Sequence, residues 1–537
     1  MSEPLLGLMQ DRPLQIVSML QHAATYSPNR QIVSKLPSGV VRYGYAEANV
    51  RARRWAKGLH ALGVRPGDRV ASLAWNTHRH FELFYAVPGL GAVLHTLNPR
   101  LWEEQLVYII NHAEDSVLCF DPDLLDLVIK LAPQIPTVKR YILLGERSEA
   151  PKTAPFDLLC AEDVLADDDF DWPAFDERTA AILCYTSGTT GMPKGVLSSH
   201  RSTVLHALYA QSAVAFGLTP FDSVLLVVPM FHAQGWALPY VAAIAGAKLV
   251  LPGAAPPPGT IVDLIHAENV TLSTGVPTVW TGVFDNLDAT GRDLGPLKRA
   301  LVGGSAMPPA MSRRLHEYGV EPITGWGMTE LSPLGSFTCA TPEMDEAALR
   351  TRAGRVLYPV EVAIRTAEGS QAACGAVGDI WVRGPCVASG YFRGEGGHVL
   401  DGDGWFPTGD VGSIDEHGAI AITDRTKDLI KSGGEWISSA DIEKAAADCP
   451  GVAQAAAVAA RHPKWLERPL LVVAPSRGVS LCKDQVLNAV RAKLPAWQTP
   501  DDVIFVEALP LTATGKIDKK ALRARFGDHL ISKAGAA

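Results

Sequence analysis

One stretch of the 537-residue chain concentrates residue types that could do chemistry: Tyr185-Thr186-Ser187-Gly188-Thr189-Thr190-Gly191-Met192-Pro193-Lys194-Gly195, directly after the apolar run AAILC. Gly188, Gly191 and Gly195 permit positive φ and close backbone approach. Thr186, Ser187, Thr189 and Thr190 offer hydroxyl donors, and Lys194 brings a positive charge. A polyphosphate demands that combination, because backbone N–H groups, hydroxyls and a cation share its oxygens. The stretch is not a Walker A loop, since Lys194 is followed by Gly195 rather than Ser or Thr. A Ser/Thr/Gly-rich turn would explain any four of these residues, but not the whole undecapeptide.

Other polar positions are ambiguous when taken singly. Asp410 closes a Thr-Gly-Asp turn, where Asp is common for local reasons. Lys516 sits in a Gly-Lys-Ile turn, which out of context reads as an exposed surface lysine, and His232 lies in an apolar run, as a satisfied core histidine would. The eight cysteines are scattered, with no CxxC pair and no His at metal-ligand spacing, so reduced and mostly buried thiols are expected.

Composition bounds the frame that must position these groups. With 47% hydrophobic residues, 20% charged residues and a length of 537, the chain can bury several cores and divides into two to four domains. Its 48 Gly and 38 Pro stay well below the ~25% at which low-complexity disorder begins. A net charge of −8 supplies no global attraction to nucleic acid or to anionic membrane. No basic n-region precedes an apolar run near Glu3, so no signal or transit peptide is visible and a cytoplasmic location is expected. Residues 223–247 lack Asp, Glu, Lys and Arg over the length of a membrane span. Pro229, His232, Gln234, Gly235 and Pro239 interrupt that stretch, so a buried strand, a loop and a further segment are expected instead of one helix.

Short apolar runs, at 69–75, 116–120, 140–145, 180–187, 223–230 and 248–253, alternate with helical-period segments such as 51–62, which Gly63 closes. Continuous apolar strands alternating with helices predict an α/β fold with parallel-type sheets buried on both faces. From about Tyr358 the texture changes to short strands with frequent Gly (VEVAIRT, GDIWVRG, GAIAITD), which predicts a β-rich subdomain over about 355–426. Beyond Asp424-Arg425-Thr426-Lys427 another unit begins, with Ser438 and Asp441 spaced to cap a helix that stops by Pro450-Gly451. The expected organisation is a large domain over 1–426 and a small α+β domain over 427–537.

With its neighbours, the phosphate-loop stretch resembles a known family: the AMP-forming acyl-CoA synthetases of the adenylate-forming superfamily. The motifs stand in family order: YTSGTTGMPKG (185–195), PMFHAQGW (229–236), GGSAMP (303–308), GWGMTE (325–330), WFPTGD (405–410), DRTKDLIKSGGEW (424–436) and TATGKI (512–517). The resemblance covers essentially the whole chain. It implies an ATP-dependent ligase in which Thr186, Ser187, Gly188, Thr189, Thr190 and Lys194 cradle phosphate, Glu330 helps hold Mg2+, and Thr329 contacts the α-phosphate. Gly303, Gly304, Ser305 and Ala306 would border adenine, with Trp326, Gly327 and Met328 completing the nucleotide site and Asp410 and Arg425 taking the ribose hydroxyls. Lys516 would be the lysine of adenylation, and Lys427 the hinge of a mobile C-terminal domain. Lys431, Gly433, Gly434 and Trp436 would face the site when CoA reacts. The family likeness also carries the expectation of a homodimer, with no nucleic acid partner and no membrane span.

The same resemblance bears on the acid. His232 stands where amino-acid-activating relatives place an Asp, which argues against an amino acid. Gly327 stands where acetate-specific relatives place a Trp, so an acid longer than acetate is expected. Phe231, His232, Trp236, Gly303 and Trp326 would line a mainly apolar pocket, with His232 near the carboxylate. Residues 98–115, FHAQGW and GWGMTELSPLG are most similar to bacterial medium-chain fatty acid ligases and to 3-methylmercaptopropionate-CoA ligases. A short- to medium-chain acid is therefore expected, with 3-methylmercaptopropionate the leading candidate and a general medium-chain fatty acid the alternative. A nucleotide- or acyl-binding homologue without turnover is the more remote reading.

Overall fold

The computed structural model describes residues 5, 7–167, 170–186, 192–339, 341, 344, 352–432, 435–476, 478–512 and 515–534. Ser187, Gly188, Thr189, Thr190, Gly433 and Gly434 of the expected site lie outside the described residues.

Two large sheets carry the N-terminal part. The first has seven strands in the order Leu158–Cys160, Arg140–Leu143, Val117–Phe120, Arg69–Leu73, Val93–Thr96, Ala180–Thr186 and Lys194–Ser199. All neighbours are parallel except the last pair. The second has nine strands, and its central six run parallel: Glu321–Gly327, Arg299–Val302, Leu272–Gly275, Ser223–Leu225, Lys248–Leu251 and Gln31–Leu36. Antiparallel strands finish it at both edges, Gly39–Gly44 on one side and Leu334–Phe337 with Arg355–Val356 on the other. Every residue of Val117–Phe120, Val93–Thr96 and Leu272–Gly275 is buried, as the unbroken apolar runs require of strands covered on both faces.

The charge-free stretch divides as its prolines and glycines suggested. The strand ends at Leu225, a turn occupies Ala233–Ala237, and a short helix follows over Leu238–Ala245, with Pro239 in its first turn where no N–H is missed. Among the described residues no helix is long and apolar enough to cross a membrane.

The β-rich unit is a four-stranded antiparallel sheet: Glu361–Arg365, Gly378–Arg383, Phe406–Ile414 and Ile420–Arg425. The C-terminal sheet is built within residues 430–505, from Glu435–Ile437, Ile430–Ser432, Leu466–Pro475, Val452–His462 and a parallel strand Asp502–Phe505. Separate apolar clusters pack on its two faces, one around Ile442, Val486 and Val503, the other around Val458, Leu470 and Leu522. The helix Ser439–Ala447 begins where its cap predicted, the Ser438 hydroxyl accepting from the Asp441 N–H at 3.0 Å. The eight thiols are free, and Cys119, Cys160, Cys184, Cys386 and Cys449 are buried.

Candidate active site

The hairpin Ala180–Thr186/Lys194–Ser199 places Thr186 opposite Lys194 in register, so both ends of the expected phosphate loop are fixed by sheet pairing. The Lys194 ammonium stands 4.8 Å from the centroid of the Tyr391 ring, and the Tyr391 hydroxyl donates to Glu330 Oε1 at 2.8 Å. Glu330 lies in a 3₁₀ turn, Thr329–Leu331, just beyond the strand Glu321–Gly327. Burial raises its pKa, against the lowering effect of the Tyr391 hydrogen bond and the Arg425 charge. Tyr391 was not anticipated from the sequence, because nothing in SGYFRG alone points at Glu330, 61 residues earlier.

Asp410 and Arg425 are register partners on adjacent antiparallel strands, with Arg425 Nε 3.4 Å from Asp410 Oδ1. The second Asp410 oxygen accepts the Trp326 indole N–H at 2.8 Å. Trp326, expected as an aromatic against adenine, is buried and is thus fixed at its polar edge by the very carboxylate expected to hold ribose. Gly303 is buried at the end of Arg299–Val302, whereas Gly304, Ser305 and Ala306 are exposed along the crevice.

Lys516 reaches this crevice from the C-terminal sheet's side of the molecule. Its Cε is 3.5 Å from the place a Cβ on Gly304 would take, and the Thr278 hydroxyl donates to the Gly515 carbonyl at 3.4 Å. Burial lowers the Lys516 ammonium to about 8, helped by the positive charges of Arg425 and Lys427 and opposed by Asp410. Burial also lowers Lys427, the expected hinge, with Arg425 adding to the effect.

On the other side of the crevice, Phe231 is buried with its ring edge-on to Trp75 at 6.0 Å. Burial, then the Lys516 charge, takes His232 down to about 4, so its imidazole is neutral near pH 7. The next five residues, Ala233 to Ala237, all have positive φ between 44° and 62°, although only Gly235 is a glycine. A left-handed turn of this kind costs an L-residue roughly 1–2 kcal/mol per position, and such strain gathers at functional sites. The turn lays the Trp236 indole over Gly303, where a Cβ would come within 2.8 Å of the ring. Asn76 anchors the run that leads into this turn: its carboxamide donates to the Leu226 and Val228 carbonyls at 2.7 and 2.9 Å and accepts from Met230 N–H at 2.8 Å. A single Asn in a distant segment gave no sequence signal for this role.

Lys431 and Trp436 face each other across a short hairpin, the ammonium 5.4 Å from the indole, and both are exposed. The Lys431 N–H donates to Glu467 Oε2 at 2.9 Å. These residues are brought together with one another, while Lys516 is the lysine brought to Gly304.

Tyr391 thus links the phosphate-type hairpin to Glu330, and the charges of Asp410 and Arg425 act on both Glu330 and Lys516. A family model described as AMP-binding enzyme matches residues 20–392, and one described as AMP-binding enzyme C-terminal domain matches 441–516. The chain belongs to the AMP-binding enzyme family. It is 45% identical to a 3-methylmercaptopropionyl-CoA ligase of Ruegeria lacuscaerulensis, over 98% of this chain and all of that one. It is 44% identical to a medium-chain-fatty-acid–CoA ligase of Ectopseudomonas oleovorans, over 99% of this chain and 100% of the relative. The fold matches the crystal structure of the anthranilate CoA ligase AuaEII in complex with anthranoyl-AMP, with a TM-score of 0.86 and 24% identity, covering 98% of this chain and 100% of that one. The α/β fold read from the sequence and the expectation of an ATP-dependent acyl-CoA ligase of the AMP-binding family are both borne out.

Proposed function

We propose that this enzyme activates a short- to medium-chain carboxylic acid, with 3-methylmercaptopropionate first among candidates, by forming its adenylate and then its CoA thioester. The observation that carries the reading is Lys516 docked on Gly304, within electrostatic reach of Asp410, Arg425 and His232. Near-full-length identity to 3-methylmercaptopropionyl-CoA ligases supports the choice of acid.

In the first step a carboxylate oxygen forms a bond to the α-phosphorus of ATP while the bond to the bridging oxygen breaks and pyrophosphate leaves. Two anions must approach, and we assign the Lys516 ammonium to bridging them. Lys194 lies with the phosphates, and Asp410 with Arg425 holds the ribose. The neutral His232 serves as a hydrogen-bonding contact for the acid, while Phe231, Trp236, Gly303 and Trp326 wall off water that would hydrolyse the mixed anhydride. A Mg2+ ion fits this arrangement: Glu330 supplies one hard, buried oxygen whose pKa burial has raised, and the ion prefers to take its other ligands from phosphate and water. When bound, it would neutralise charge on the leaving pyrophosphate. Among the described residues no group of three or more His, Cys, Asp and Glu could hold a metal unaided, which suits an ion delivered with ATP.

In the second step the CoA sulfur attacks the acyl carbonyl and AMP leaves. We assign Lys431, Gly433, Gly434 and Trp436 to this step, and Lys427 to the hinge between domains at 1–426 and 427–537. Here Lys431 pairs with Trp436 while Lys516 lies against Gly304, and on this reading a turn at the hinge exchanges the two lysines for the second step. Lys431→Ala is expected to leave pyrophosphate exchange within twofold of wild type and to slow thioester formation from supplied acyl-adenylate by about 10²-fold. Measuring the two half-reactions separately checks this.

AMP release with Mg·ATP and CoA across acetate, butyrate, hexanoate, octanoate, laurate, 3-methylmercaptopropionate, benzoate and phenylalanine tests the substrate. A hydrophobic pocket separates neighbours by only ~1–3 kcal/mol per methylene, so a graded optimum is expected at the thioether acid and the short-chain acids. An optimum at octanoate or beyond would favour the second reading, a general medium-chain fatty acid ligase, which the 44% identity to such an enzyme supports.

A further inference from the structure

We propose that Tyr391 is a positioning residue that ties the phosphate-side cation Lys194 and the carboxylate Glu330 into one unit facing the ATP polyphosphate, and that the helix Glu103–Ala113 braces it there. The proposal rests on the reading of Lys194 and Glu330 given above. Each end of the link has its own contact. The ring face lies 4.8 Å from the Lys194 ammonium, and the hydroxyl donates to Glu330 Oε1 at 2.8 Å. The chain wraps Lys194 closely, since a Cβ on Gly396 would lie 2.7 Å from its nitrogen.

The segment carrying Tyr391 is a single 3₁₀ turn, Phe392–Gly394, and side chains of the helix Glu103–Ala113 and its C-cap hold it in place. Tyr108 donates to Glu395 Oε1 at 2.5 Å, and Arg393 forms an ion pair with Glu114, at the end of that helix, at 2.7 Å. His112 Nδ1 is 2.6 Å from the Tyr185 hydroxyl, and its ring meets Phe392 edge-on at 5.8 Å. Tyr185 is the strand residue just ahead of the phosphate loop, and Phe392 closes over Gly195, where a Cβ would be 3.0 Å from it. One helix therefore clamps the phosphate hairpin and the Tyr391 segment together. A tyrosine present only to fill space would not need its hydroxyl on a buried carboxylate and its face on a half-buried cation at once. The arrangement fixes the distance between a cation that neutralises phosphate and an oxygen that accepts a metal, which is preorganisation of the site for metal-bound triphosphate.

The test is calorimetric binding of α,β-methylene-ATP with and without Mg2+, with AMP as a control that lacks the β- and γ-phosphates. Tyr391→Phe keeps the ring under Lys194 and removes the bond to Glu330. It is expected to cut the strengthening of analogue binding by Mg2+ about 5- to 20-fold, as loss of a hydrogen bond to a charged group would, with AMP affinity unchanged within twofold. Tyr391→Leu, which also uncovers Lys194, should weaken the analogue further without Mg2+. Tyr108→Phe, which touches no substrate, should reproduce the Tyr391→Phe change at smaller amplitude. Wild-type metal enhancement in Tyr391→Phe, or equal weakening of analogue and AMP, would overturn the proposal. Glu330→Gln separates it from the underlying reading: an unchanged metal enhancement there sinks the assignment of Glu330, whereas a changed one beside a silent Tyr391→Phe sinks the positioning role alone.

Discussion

Lys516→Ala is expected to slow adenylation by about 10³-fold, read as acid-dependent pyrophosphate–ATP exchange, while thioester formation from supplied acyl-adenylate stays within about threefold of wild type. The asymmetry follows from where the charge is needed. Two anions meet only in the first half-reaction, and we assign the Lys516 side chain, which lies against Gly304, to that step. A lysine that merely held the C-terminal sheet against the crevice would, when removed, perturb both half-reactions. Equal loss of both is therefore the outcome that contradicts the assignment.

The same residue predicts a pH profile. On this assignment the ammonium form is the active one, and burial with Arg425 and Lys427 nearby has brought its pKa down to about 8. Protonation is thus lost as pH rises through 8, well below the range of an ordinary lysine. For the free enzyme, kcat/KM for ATP in the exchange reaction should fall as pH climbs past 8, approaching tenfold per unit. Bound phosphates favour the charged form, so the fall in kcat should be displaced to higher pH. His232, already neutral from about 4 upward, should leave no inflection between 5 and 8.

The residues of this site divide by whether their signal is local. Asp410 and Arg425 could be singled out because each sits in a compact motif, and sheet pairing sets them side by side. The alternation of apolar runs with helices likewise exposed the parallel sheets, since burial on both faces leaves a mark in consecutive residues. The antiparallel edges of those sheets, and the early end of the strand at Leu225, were not visible, because a strand that turns back or stops inside an apolar run looks like one that continues. Tyr391, Asn76 and the Trp326–Asp410 bond were missed for a different reason: each is one polar side chain whose partner lies 61 to 154 residues away. The left-handed turn at Ala233–Ala237 was hidden because its alanines, glutamine and tryptophan carry no preference for that conformation; tertiary packing imposes it.

Gly327→Ala is expected to abolish adenylation of every acid alike, by 10²-fold or more. Likeness to acetate-specific relatives casts this glycine as a chain-length determinant, on which view a small side chain should trim long acids and spare short ones. The structure shows a tighter constraint. Gly327 pairs with Leu334 at a break in register of the antiparallel hairpin, and the neighbouring Met328 N–H donates to the Pro333 carbonyl at 2.9 Å. A Cβ at 327 would lie 1.9 Å from that carbonyl oxygen, 2.9 Å from its carbon and 3.1 Å from the Leu334 Cα. All three are backbone atoms, so no rotamer change relieves the clash and the hairpin must open. Forcing extra volume into a packed site typically costs ~1–3 kcal/mol, and here the movement falls on Trp326 to one side and on Thr329 and Glu330 to the other. Because we assign those residues to ATP, the loss should be uniform across acetate, hexanoate and 3-methylmercaptopropionate, with weaker ATP-analogue binding and a lowered Tm. A variant that keeps acetate at wild-type rate while losing only longer acids would restore the chain-length role and show that the hairpin yields at Pro333.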